Sequence, residues 1–216
     1  MSFESKFVGP ASLAPLLVAR LGNTLAADPH HGRDRVHSVY FDTREEPAAE
    51  EVRNGDHYKT KVRLRWYASS GAARAWVECK RKFGARRSKM RHPATGLDPA
   101  WPLQHRGWRR VAELLKEAGE VSGFGHIEPT LHLAYRRRRF VHRSSGLRVA
   151  VDDDIRLLAS HPRLGASAPP RNVAHRELVL EIKGDQRDLP APLAFIRDLG
   201  LRRGAFSKYG ICRGVA

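Results

Sequence analysis

Between Lys59 and Arg65 a cation recurs at every second position: Lys59, Lys61, Arg63 and Arg65, followed in phase by Tyr67. Val62, Leu64 and Trp66 fill the alternate positions. Successive strand side chains point to opposite faces, so this spacing predicts one cationic and one apolar face. Neighbouring cations repel, and an unpaired charge is costly to bury, so such a face must meet either water or an anion. The strand alone leaves both readings open, because charge runs are often solvated surfaces.

Other segments share the pattern. Glu78, Lys80 and Lys82 alternate with Val77 and Cys79, and Glu177, Glu181 and Lys183 with Leu178, Leu180 and Ile182. Tyr135, Arg137 and Arg139 share parity, as do Arg148, Asp152 and Asp154 opposite Leu147, Val149 and Val151. Glu4 and Lys6 share parity near the start. Six strands with one ionic and one apolar face each need a cover for the apolar side. A closed barrel would also satisfy every edge.

The elements that position these residues follow from periodicity and punctuation. Strands are expected near 2–8, 35–42, 57–67, 73–83, 129–142, 146–156 and 174–183, with an eighth at 205–212. Helices are expected at 10–22, at 105–119 through Trp108, Val111, Leu114 and Leu115, and at 191–199 after Pro190. Segments 28–35, 44–56 and 160–173 are rich in Pro, Gly and charge and read as loops. Three amphipathic helices need a sheet surface, which favours apolar faces turned outward beneath them and ionic faces lining a polar interior. The expected architecture is α+β, an antiparallel β-tunnel in one domain spanning 1–216.

Composition sets the outer limits. The 216 residues suffice for a sizeable core, and 39 Lys and Arg against 23 Asp and Glu leave a formal charge of +16. That surplus suits nucleic acid, an anionic membrane or polyphosphate, and the position of the cations must choose among them. Two cysteines, Cys79 and Cys212, exclude a disulfide scaffold and match no zinc or redox spacing. No apolar run approaches the ~20 residues of a membrane span, and the first residues lack a signal-peptide pattern. A cytoplasmic location is the expectation.

A family resemblance joins these observations. In order along the chain come Glu4 to Phe7 (ESKF), Ser38 to Thr43 (SVYFDT), Tyr58 to Tyr67 (YKTKVRLRWY), Val77 to Lys80 (VECK) and Arg87 to Arg91 (RSKMR). Pro129 with Tyr135 and Arg137, Leu147 to Asp152 (LRVAVD), Leu180 to Lys183 (LEIK) and Ser207 to Tyr209 (SKY) complete the series. Each piece is weak alone, but the ordered set resembles the VTC (vacuolar transporter chaperone) domain of the triphosphate tunnel metalloenzyme superfamily, related to CYTH domains.

The resemblance implies an eight-stranded tunnel with a basic lumen. It also implies an enzyme that extends inorganic polyphosphate from the γ-phosphate of ATP with Mn²⁺ or Mg²⁺. Carried over by motif, Lys61, Arg63, Arg65, Lys80, Arg137, Arg148 and Lys183 are the expected catalytic cations. Lys6, Lys59, Lys89, Tyr135, Arg139, Ser207 and Lys208 are expected to bind substrate. Glu181, with Glu4, is expected to hold the metal. The superfamily's fullest signature opens with alternating glutamates, whereas here Ser2 stands before Glu4. That departure argues against a two-metal hydrolytic site, although hydrolysis of tripolyphosphate and non-catalytic polyphosphate binding remain the alternatives. No sequence-specific nucleic acid is expected as a partner; the partner class the resemblance leaves open is a membrane protein.

The remaining motifs read more plainly. His30 and His31 belong to a surface loop, and His37, His132 and His142 to strands. Asp152 is expected to pair with tunnel arginines, and the run Lys80 to Arg91 to form a basic lip. The four tryptophans are expected to pack in the core or against helices rather than to stack bases.

Overall fold

The structure is a computed structural model, and it describes residues 3–43, 58–70, 74–84, 86–120, 126–162, 164, 172–185 and 188–213. Ten strands are present among them: β1 (Phe3–Pro10), β2 (Ala26–Ala27), β3 (Arg33–Asp42), β4 (Tyr58–Tyr67), β5 (Trp76–Phe83), β6 (Arg86–Pro93), β7 (Glu128–Val141), β8 (Arg148–Ser160), β9 (Glu177–Gly184) and β10 (Arg202–Arg203). The helices are α1 (Ala14–Thr24), α2 (Arg110–Glu117) and α3 (Lys208–Arg213), with three-ten turns at Ala11–Leu13, Arg106–Arg109 and Ala191–Leu199. The fold is α+β, as the alternation implied, and the loop expected at 44–56 lies outside the described residues.

The chain forms two compact units. One comprises 1–35, 135–155 and 174–206, and the other 36–134, 156–173 and 207–216. In the first unit the strand order is β10-β1-β9-β8-β7, with β2 on β7. Lys6 faces Glu181 and Glu4 faces Lys183 across β1 and β9, and Arg148 faces Lys183 across β8 and β9. Leu17 and Leu21 of α1 and Leu193 and Ile196 of the three-ten turn bury against Val149, Val151, Leu178 and Leu180. The i, i+4 spacing of Leu17 and Leu21 makes that helical stripe.

In the second unit the order is β7-β3-β4-β5-β6. Trp108, Val111, Leu114 and Leu115 cover Val39, Phe41, Val62, Leu64, Val77 and Cys79. In both units, therefore, the helices cover the apolar sheet face and most ionic residues occupy the opposite one; the exceptions are Asp153, which pairs with Arg136 and Arg138 in phase with Val149 and Val151, and Arg81, which pairs with Glu120. Burial pushes the Cys79 thiol up to about 11 and the Cys212 thiol up to about 12, so neither is poised as a nucleophile.

Several expectations need correction. Residues 208–213 are the helix α3 rather than part of a strand, because Tyr209 and Cys212 are buried with helical spacing. Strand β6 escaped the periodicity argument: it lies at the end of the strand order and is largely exposed on both faces, so no apolar alternation marks it. The two-residue strands β2 and β10 are too short to leave a pattern. Ten strands thus replace the expected eight among the described residues, and β6 ends the strand order of its unit. The cations and Pro93 of β6 guard that edge against further pairing. His142 lies in the turn after β7, near Ser144 and Ser145, instead of in a strand.

Candidate functional site

The ionic face of the second unit is built around β4. Its register sets Lys61 opposite Lys80 and Arg63 opposite Glu78 on β5, while Arg63 and Arg65 face Tyr40 and Ser38 on β3. Strand β6 adds Lys89 beside Lys80 and Arg91 beside Glu78. The structure thus gathers Lys61, Arg63, Arg65, Lys80 and Lys89 on one face. Ser207 joins them by accepting a hydrogen bond from the Lys61 ammonium at 2.9 Å. Lys208, the next residue, opens α3 and is half-buried. The Lys59 side chain lies outside the described residues.

Glu78 is the residue whose role the sequence reading missed. It is only 2% exposed. Its Oε2 accepts from Arg63 Nε at 2.8 Å and Nη2 at 2.6 Å, and its Oε1 from Lys89 at 2.9 Å. Burial alone would raise this carboxyl, but Arg63 first, then Arg65 and Lys89, hold it far below the usual carboxylate range. Its parity with Lys80 and Lys82 placed it on the ionic face; nothing in the sequence showed that it would be enclosed there.

Arg63 also donates to the Tyr40 hydroxyl at 3.2 Å, and Tyr209 donates to Asp42 at 3.2 Å. Burial opposes ionisation of Tyr40, yet Arg63, Arg65 and Lys61 together bring the phenol below its ordinary value. Lys80 is exposed and makes no ion pair among the described residues. Arg63 foremost, then desolvation and Arg65, push its ammonium down to about 6. The like charges dominate, because the side chain keeps an accessible surface.

The first unit has a second ionic face. Arg137 grips Asp152 through two bonds of 2.5 Å and reaches Glu181 at 3.1 Å, with its guanidinium 5.4 Å from the centre of the Tyr135 ring. Asp152 is fully buried, so its expected pairing with an arginine is present. Lys6 lies 3.6 Å from Glu4 and 3.7 Å from Glu181, and Lys183 lies 3.3 Å from Glu4. Burial would raise the Glu4 carboxyl, but Lys183 and Lys6 outweigh it and the net shift is downward. Arg148 is exposed beside Lys183. Arg139 lies further along β7, half-buried, with its backbone bonded to Gly32 and Asp28.

Glu4 and Glu181 share this face and offer hard oxygen donors. Among the described residues no group of three His, Cys, Asp or Glu side chains is placed to hold a metal ion. The two carboxylates therefore fit a divalent cation only when ligand oxygens complete its shell.

Solved structures similar to the chain include a Bacillus halodurans protein provisionally named an adenylate cyclase. It is 10% identical with a TM-score of 0.46, the match covering 86% of this chain and 81% of that one. A conserved hypothetical protein of Pyrococcus furiosus is 10% identical, TM-score 0.44, covering 89% and 82%. A Pyrococcus horikoshii protein is 14% identical, TM-score 0.43, covering 92% and 87%. Likeness at this level adds no argument to the strand order above. No curated protein matches the chain. The VTC domain model, however, matches residues 2–216, nearly the whole length, and on that ground the chain belongs to the VTC domain family.

Proposed function

We propose that this domain is a polyphosphate polymerase-like phosphotransferase, which moves the γ-phosphoryl group of ATP or another nucleoside triphosphate onto an inorganic phosphate chain. The observation that carries this reading is the ladder Lys61, Arg63 and Arg65 with Lys80 and Lys89 beside it, on the sheet face turned away from the helix-covered core. Phosphoryl transfer spreads charge over the equatorial oxygens of a loose transition state, so its catalysis consists largely of positioned cations. Lys61, held by Ser207, and Lys80 are suited to contact those oxygens. Arg137 and Lys183, with Lys6 and Arg148, supply cations on the other ionic face, where Asp152 fixes the Arg137 fork.

The activity implied by the family uses Mn²⁺ or Mg²⁺, and Glu181 with Glu4 would hold it. The ion would neutralise charge developing on the transferring and leaving oxygens. Both carboxylates are paired with lysine, and Lys6 and Lys183 would be drawn to a bound phosphate chain as well. Among the described residues no helix is long and apolar enough to cross a membrane.

The deciding experiment incubates pure protein with ATP and Mn²⁺ or Mg²⁺ and resolves the products by chain length. Polyphosphate longer than the primer, formed as ADP appears, is the expected result. Orthophosphate from tripolyphosphate without chain growth would instead assign hydrolysis, and metal-independent binding without turnover would assign a sensor.

A further inference from the structure

Arg63 stands at the centre of the cation ladder, yet all three of its guanidinium nitrogens are already engaged. Nε and Nη2 donate to Glu78 and Nη1 to Tyr40. Lys89 is bound to the other oxygen of the same carboxylate, and Arg91 Nε approaches that oxygen at 3.9 Å. Glu78 contributes nothing to the apolar core, which lies on the opposite face of β5 under α2. It is instead an enclosed anion whose two oxygens collect cations from β4 and β6, as a phosphate group in this place would. A paired buried ion adds little net stability over an apolar substitute, so its presence among cations suited to phosphate calls for a further reason.

We propose that Glu78 is a built-in counter-anion that holds Arg63 and Lys89 in the absence of phosphate and competes with the phosphate chain for them, weakening the site's hold on its ligand. The inference rests on the reading that this face binds phosphate chains. A site that must let a phosphate chain move on needs such weakening, because a row of uncompensated cations would bind a polyanion tightly and release it slowly. Glu78 offsets part of that field while leaving Lys80, which makes no ion pair among the described residues, facing the ligand. The carboxylate also opposes the cations that depress the Lys80 ammonium, so the two groups are electrostatically coupled.

The test is calorimetric titration of the full chain with tripolyphosphate, without metal, at fixed salt and pH. Glu78→Gln is expected to bind at least about tenfold more tightly than wild type, and Glu78→Asp to stay near wild type. The Lys80 amine, followed by its pH-dependent labelling with pyridoxal 5′-phosphate, is expected to titrate lower in Glu78→Gln, because the carboxylate that opposes its depression is gone; the gain in affinity is what a purely structural ion pair would not produce. Should Glu78→Gln fail to fold, Lys80→Gln and Lys89→Gln decide the matter. Loss of uncommitted Lys80 must weaken binding about tenfold or more, and loss of Lys89 by less than about threefold. Equal or weaker binding by folded Glu78→Gln, or the reverse ranking of the lysine variants, overturns the proposal while leaving the functional reading intact. Failure of wild type to bind tripolyphosphate removes the functional reading itself.

Discussion

At the scale of single residues, charge pairing under burial decides what each side chain does. Asp152 is fully buried and carries Arg137, itself largely enclosed, on two short bonds. Asp152→Ala leaves a guanidinium enclosed without its main partner and is expected to cost about 3–5 kcal/mol in chemical denaturation. Adding Arg137→Met should recover most of that loss, and failure to recover would place the defect in packing instead. Lys80 makes a different prediction. Its folded-state value is about 6 against an ordinary 10.5, so between those values the unfolded chain binds a proton that the folded chain does not. Stability should therefore rise with pH from about 6 toward 10.5, and the penalty should be complete below about 6. Lys80→Gln should flatten that slope in denaturation curves recorded across the range. Bound polyanion reverses the bias, so tripolyphosphate should drive proton uptake near pH 7.5, read from binding heats in buffers of different ionisation enthalpy.

At the scale of elements, the strands are held by helices on one face only. Leu64 of β4 is fully buried beneath Trp108 and α2, in phase with Val62 and opposite in face to Arg63 and Arg65. Leu64→Ala is expected to destabilise the protein by about 2–5 kcal/mol, the range for a large-to-small change in a packed core. Its tripolyphosphate affinity should be unchanged in the population that stays folded, since the cations leave by the other face; a specific loss of affinity at full folding would show that the two faces are not separable. The alternation made β4, β5, β7, β8 and β9 legible, because each sets a mainly apolar side against an ionic one, although Arg136 and Arg138 of β7 and Asp153 of β8 break that phase. Strand β6 was not legible, since an edge strand largely exposed on both faces has little reason to alternate apolar with polar residues. The end of the chain misled in the opposite way. Its residues suit a short strand, and only the burial of Tyr209 and Cys212 on one side of a single turn makes them the helix α3.

At the scale of the whole molecule, the formal charge of +16 should make tripolyphosphate binding fall steeply with salt. A linear decrease of log affinity with log salt concentration over 50–300 mM is the expected outcome, and a flat profile would contradict contact through the cation ladders. The order of residues was enough to show the family, the α+β class and the shared phase of the cations on β4, β5 and β9, because strand geometry converts position parity directly into direction. Only the tertiary structure decided which charges are spent on one another. Glu78 and Lys80 are two residues apart on one strand face, and nothing in the chain says which of them finds a partner, but Glu78 is clasped by Arg63 and Lys89 and Lys80 makes no ion pair among the described residues. That difference depends on the register of β4 and β6 against β5 and on burial, and neither is a property of a strand read alone.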